Sequence, residues 1–287
     1  MTLEARKARA RRSLDGLSVG DAFGERFFQE PGVVKMFLEQ RATPAPPWRW
    51  TDDTAMALSI VEELEAHGEI VPGALASAFA RRYRAEPDRG YGGGAHHILA
   101  AIARGVPYEV AATSVFDGLG SMGNGGAMRS APIGGFFAGD IAAVVANAKR
   151  SAEPTHAHPD GAAGAIAIAV GAALAATGSF DIRTVAEHTP EGKTRAGILR
   201  AAELPRDLPP EGAASILGNG SNVISSDTVP FCLYAASRFL DDYEGALWYT
   251  VAGLGDRDTT CAIVGGIVAL SSDVPREMIE SREPLGL

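Results

Sequence analysis

The stretch Trp50–Gly68, WTDDTAMALSIVEELEAHG, decides the class of the fold. Within it Ala57, Ile60, Val61 and Leu64 recur at the 3.6-residue period of an α-helix, and Gly68 stands where such a helix would stop. Thr51, Asp52, Asp53 and Thr54 crowd its start. Working outward, the same period predicts helices over residues 72–84, 95–104, 108–116, 140–150, 161–177, 182–188, 211–217, 228–240, 243–252 and 259–271. No run of two-residue alternation competes with them, so the chain reads as all-α.

In the stretch from Gly161 to Ala176, the residues Ala162, Ala165, Ile166, Ala169, Ala172, Ala173 and Ala176 form one stripe. Small side chains let helices approach closely, which predicts a central helix there. Segments rich in Gly and Pro fall at 42–48, 87–94, 118–126, 203–210 and 218–222, spaced as connectors within a bundle. Residues 1–287 are therefore read as one multi-helix domain without an internal repeat.

The 287 residues are 46% apolar and 21% charged, a soluble globular composition. Arg6, Lys7, Arg9, Arg11 and Arg12 resemble the charged start of an export signal, but no apolar segment follows. No window of 18 residues reads as a membrane span, and the expected location is cytoplasmic. Cys232 and Cys261 are too few for a disulfide framework. A net charge of −9 argues against a broad nucleic-acid-binding surface, whose affinity comes from neutralising phosphates. An anionic small molecule is still compatible where backbone N–H groups, helix N-termini or metal ions supply the positive field.

A second acidic motif, Asp256-Arg257-Asp258-Thr259, precedes the helix running through Ile263, Ile267 and Leu270. Thr and Asp are preferred helix N-caps, and capping alone would account for one such residue at each start. Two adjacent aspartates at one helix and an Asp-x-Asp-Thr at another exceed that need. Carboxylates brought together repel, and divalent cations would resolve the repulsion. With oxygen donors and no thiol, the clusters suit Mg²⁺ or Mn²⁺ over Zn²⁺.

Several separated segments, in order, resemble the ADP-ribosylglycohydrolase family. Gly20-Asp21-Ala22-Phe23-Gly24 is similar to its GDxxG motif, and Trp50-Thr51-Asp52-Asp53-Thr54 to its first metal motif. Gly123-Asn124-Gly125-Gly126-Ala127-Met128-Arg129 resembles a GNGxxMR loop, and Thr155-His156 with Gly164-Ala165 resembles a central helix motif. Gly218-Asn219-Gly220 with Val229-Pro230 follows, and Gly255-Asp256-Arg257-Asp258-Thr259 is similar to the final GDTDT motif. The resemblance implies an orthogonal helix bundle with two divalent cations, Mg²⁺ or alternatively Mn²⁺, in a cleft that hydrolyses the bond between ADP-ribose and an acceptor. Carried over by position, the ligands would be Thr51, Asp52, Asp53, Asp256, Asp258 and Thr259. Asp53 and Asp258 are both candidates for accepting a proton from water. Asp21 either supports that site or anchors helix packing.

The Gly120–Gly126 loop is bare enough for its backbone to approach a pyrophosphate, which assigns Ser121, Asn124 and Gly125 to substrate binding. His156 joins them through the family pattern, and Arg129 is either a loop anchor or part of the site. The expected partner is ADP-ribose or an ADP-ribosylated compound. A non-catalytic ADP-ribose binder, or a hydrolase of another nucleotide-linked ribose, is the competing reading.

Three positions depart from the pattern. Phe28 stands where relatives carry a glutamate, with Glu25 and Glu30 nearby. Arg257 replaces the threonine between the final aspartates, where it is expected to meet the metal cluster, a buried acid or a substrate phosphate. Met122 takes the place of an aromatic residue beside adenine and can still cover the ring.

Overall fold

The computed structural model describes residues 2–286, and the described residues hold helices and no strand beyond two isolated bridges. In chain order the helices are α1 (Leu3–Glu25), α2 (Pro31–Gln40), α3 (Asp52–His67), α4 (Pro72–Ala85), α5 (Gly93–Ala103), α6 (Tyr108–Thr113), α7 (Gly125–Met128), α8 (Ala131–Phe137) and α9 (Ile141–Ala152). They continue with α10 (Pro159–Ala176), α11 (Ile182–His188), α12 (Lys193–Ala201), α13 (Pro210–Leu217), α14 (Ser225–Arg238), α15 (Tyr243–Ala252), α16 (Arg257–Val268) and α17 (Arg276–Ser281). The all-α expectation holds. The predicted 108–116 helix is shorter because Phe116 and Asp117 adopt left-handed backbone, with φ of 53° and 55°.

Sequence periodicity missed α1, the longest helix. Its first half is largely polar and exposed, and its second half is buried all round from Gly16 to Gly24, so neither half shows a stripe. The packing of α1 on α16 places the site. A methyl group added at Gly16, Gly20 or Gly24 would come within 2.4, 2.1 and 2.2 Å of the carbonyl oxygens of Gly265, Cys261 and Arg257. Glycines one turn apart on α1 thus let its backbone lie directly on that of an antiparallel α16. The end of α1 that carries Asp21 is thereby brought beside the start of α16.

Helix α10 is buried on nearly every face, as its alanine stripe predicted. It corrects one expectation. Its 18 residues, with a mean hydropathy of 1.5, are long and apolar enough to cross a membrane, although 78% of them are buried inside the protein. Nine alanines and only four large aliphatic residues, Ile166, Ile168, Val170 and Leu174, carry that hydropathy, and Asp160 lies inside the window, which is why it was passed over. Cys232 and Cys261 are buried free thiols.

Candidate functional site

The starts of α3 and α16 meet. Thr51 caps α3 by accepting the Asp53 N–H at 3.4 Å, as the capping reading requires. Asp256 occupies the equivalent position before α16 but makes no side-chain cap, and its Oδ2 accepts instead from Asn124 Nδ2 at 2.7 Å. Across the join, Thr259 Oγ1 donates to Asp53 Oδ1 at 3.2 Å, linking positions 206 apart in sequence. Capping therefore explains Thr51 and leaves Asp256 unexplained.

Beneath this join lies Asp21 of α1, fully buried. It accepts from the Thr51 N–H at 2.9 Å, Thr51 Oγ1 at 2.8 Å, the Thr54 N–H at 3.1 Å and Thr54 Oγ1 at 2.5 Å. Burial raises its carboxyl to about 6 against these hydrogen bonds, which favour the ionised form. Burial, and next the charge of Asp21, push Asp52 up to about 7. Burial followed by the neighbouring carboxylates, Asp21 first for Asp53 and Asp256 first for Asp258, holds both of those well above the ordinary range. The cluster is thus a concentration of mutually repelling acids.

Above it opens a cavity of about 660 Å³. Asp52, Asp256, Asp258 and Thr259 line its acidic end, whereas Thr51 and Asp53 stand behind them and do not. Of the two expected proton acceptors, only Asp258 faces the space, and its buried Oδ1 has no hydrogen-bond partner. Among the described residues no three His, Cys, Asp or Glu side chains form a ready-made metal cage. Threonine oxygens fall outside that set. The donor chemistry, carboxylate and hydroxyl oxygen with one orphaned carboxylate atom, fits a hard divalent cation.

Ser121, Asn124, Gly125 and His156 line the same cavity, Asn124 in direct contact with its acidic end. The loop bearing the first three is stitched to the chain before α14: the Asn124 N–H donates to the Val223 carbonyl at 3.2 Å, and Ser225 Oγ donates to that of Gly123 at 2.9 Å. His156 lies ahead of α10 rather than opening it, since His158 is the cap. Its Nδ1 is 2.7 Å from Thr155 Oγ1, which accepts from Arg129 Nη2 at 2.7 Å. A guanidinium only donates, so the threonine proton is free to go to Nδ1, which leaves the imidazole N–H on Nε2. Burial, then the charge of Arg129, lowers His156 to about 3 and keeps it neutral. Arg129, fully buried over the Phe79 ring, ties the loop to the bundle through Thr155 and the Ser151 carbonyl, and it also reaches the cavity.

The expectation for Arg257 is corrected. Its Nη1 donates to the Phe27 carbonyl at 2.5 Å, and its guanidinium lies 4.9 Å from the Phe28 ring centre, outside the cavity. Successive residues of a helix start point in different directions, and this one turns toward the end of α1. Phe28 is thus occupied as a platform for Arg257, and neither Glu25 nor Glu30 lines the cavity. Met122 does, together with Phe116, Leu119 and Val223, which sequence reading missed because they are exposed side chains in irregular segments. The Gly90–Gly94 run was the available signal for another stretch of wall.

A family model described as ADP-ribosylglycohydrolase matches residues 2–283. ADP-ribosylhydrolase ARH3 of Gallus gallus is 30% identical, with 91% of this chain and 84% of the relative covered. The Homo sapiens protein of the same name is 31% identical over 76% of this chain and 69% of its own length. A solved structure described as an ADP-ribosylglycohydrolase-related protein complex superposes with a TM-score of 0.65, covering 98% of this chain and 94% of that one at 24% identity. At that identity the likeness establishes the fold.

Proposed function

The chain belongs to the ADP-ribosylglycohydrolase family, and from that premise we propose that it hydrolyses the glycosidic bond between ADP-ribose and an acceptor, using two divalent cations, Mg²⁺ or Mn²⁺. The observation that carries this reading is the meeting of two acidic helix starts, 206 residues apart, at one end of a cavity walled by the Gly120–Gly126 loop. Thr51, Asp52, Asp53, Asp256, Asp258 and Thr259 are the proposed ligands. When bound, such cations neutralise the repelling carboxylates and supply Lewis acidity to substrate and water oxygens.

The protein's own groups divide the remaining work. Asn124 holds Asp256 in place while also donating to Thr228 Oγ1 at 3.1 Å, so the loop wall and the acidic end keep a fixed separation. Ser121, Asn124 and Gly125 present polar atoms and bare backbone to the pyrophosphate, and His156 offers its Nε2–H to a ribose or phosphate oxygen. Met122, Phe116 and Leu119 give the adenine an apolar surface. Asp258 accepts the proton of the water that attacks the anomeric carbon, because of the two candidate aspartates it alone lines the cavity. The bond to the acceptor breaks, and the acceptor leaves with a proton.

Incubating the protein with arginine-linked, serine-linked and nucleic-acid-linked ADP-ribose, with and without Mg²⁺ or Mn²⁺, tests reaction and acceptor together. Cation-dependent release of ADP-ribose from at least one of them is expected. ADP-ribose binding without release from any would favour the non-catalytic binder.

A further inference from the structure

The chain leading into α3 is held from two sides, and only one of them belongs to the acidic cluster. On the inner side Asp21 takes the Thr51 N–H. On the outer side stands Arg89, a 6% exposed residue between α4 and α5. Its Nη1 donates to the Trp50 carbonyl at 3.1 Å, and its own carbonyl accepts the Asp52 N–H at 2.7 Å. One residue thus grips the main chain on both sides of Thr51. The next residue, Gly90, has φ of +95°, and a methyl group there would lie 3.4 Å from Asp52 Oδ1, so the gripping segment runs against the carboxylate.

The grip is itself closed. The Arg89 guanidinium lies 3.5 Å from the centre of the Trp50 ring and donates to Glu283 Oε2 at 2.7 Å, Glu283 Oε1 at 2.9 Å and Glu86 Oε1 at 2.7 Å. Glu283 arrives on the segment after α17, whose backbone pairs with Trp48: the Trp48 N–H donates to the Ser281 carbonyl at 2.7 Å and the Glu283 N–H to that of Trp48 at 2.8 Å. A bidentate fork over an aromatic ring fixes orientation in a way that an ammonium does not. Arg89 reaches Asp52 through the backbone, its carbonyl accepting the Asp52 N–H.

We infer that Arg89, closed by Glu283, is a positioning residue that presents the Thr51 hydroxyl and the Asp52 carboxylate to the cations. This rests on the cation reading above. Groups that orient metal ligands typically change affinity by 10–100-fold when altered, without touching the metal. Calorimetric titration of Mn²⁺ into the full chain, with far-UV circular dichroism on the same samples, tests it. Arg89→Lys should weaken Mn²⁺ binding by on the order of tenfold, and Glu283→Gln by about threefold, a smaller part of the same effect. Saturating Mn²⁺ should restore turnover in both, because the ligands remain and only their placement is loosened; damage to the fold would lower turnover at every concentration. If Arg89→Lys does not fold, Glu283→Gln, on a partly exposed carboxylate, decides the question. A wild type that binds Mn²⁺ and variants that bind it equally well would overturn the clamp alone. A wild type that takes up no divalent cation would overturn the cation reading and the clamp with it.

Discussion

The two acidic helix starts differ in how much of their hydrogen bonding is complete. At α3 the side is closed: Thr51 caps the helix, Asp21 takes four hydrogen bonds from Thr51 and Thr54, and Arg89 grips Trp50 and Asp52. At α16 the side is open: Asp256 caps nothing, and Asp258, which lines the cavity, keeps a buried oxygen unpartnered. The closed half resembles finished helix-capping structure and the open half does not. On the function proposed above, the difference divides stability and chemistry between two similar motifs, one holding geometry and the other keeping reactive capacity free.

The largest effect is expected on the open side. Asp258→Asn should lower turnover by on the order of a thousandfold, within the range for loss of a general base. In cation-free buffer the same variant should melt higher than the wild type, because a carboxylate repelled by Asp256 and Asp21 is gone. Assays of ADP-ribose release and thermal melts in chelator check the two halves of that statement. A lower cation-free Tm would mean that the open side is not strained, and the contrast would fail.

On the closed side the order reverses. Asp21→Ala should cost about 3 kcal/mol of stability in urea denaturation, since the donors of Thr51 and Thr54 lose their buried acceptor. A loss no greater than that of Asp258→Asn would erase the distinction between the two sides.

Arg257→Thr should have a smaller effect, about 1 kcal/mol, from loss of the Phe27 hydrogen bond and the Phe28 platform. Affinities for Mn²⁺ and ADP-ribose should not move. Tighter Mn²⁺ binding in this variant would mean that the guanidinium competes with a cation for the aspartates beside it.

His156 sharpens the comparison from another part of the cavity lining. Its folded-state pKa, lowered to about 3, lies below the unfolded value near 6.5. The neutral imidazole therefore contributes stability that is fully present above about pH 6.5 and is lost as the pH falls toward 3. ADP-ribose affinity should accordingly be flat between pH 7 and 8, and His156→Gln should flatten the acid limb of a stability–pH profile. An affinity that titrates across neutral pH with a midpoint abolished by His156→Gln would contradict a neutral His156.

The helical class was legible where several large apolar residues recur on one face, as in Ala57, Ile60, Val61 and Leu64, and illegible in α1 and in helices with a thin buried face, such as α12 with Thr194, Ile198 and Ala201. Both acidic motifs could be read because the donors of each lie within four residues. Their mutual contact could be expected only from shared chemistry. Arg89 was invisible because its grip is made largely through main-chain atoms between segments 37 residues apart, which leave no side-chain pattern. The direction of Arg257 was equally hidden, since sequence gives its neighbours along the helix and not the carbonyl of Phe27 at the end of α1.

The central claim, that the two helix starts form one divalent-cation site, is tested most directly by anomalous diffraction from crystals grown with Mn²⁺. The expected result is a pair of anomalous peaks roughly 3.5–4 Å apart, ligated from one side by Thr51, Asp52 and Asp53 and from the other by Asp256, Asp258 and Thr259. Ordered protein with ADP-ribose in the cavity and no anomalous peak between those residues would contradict it.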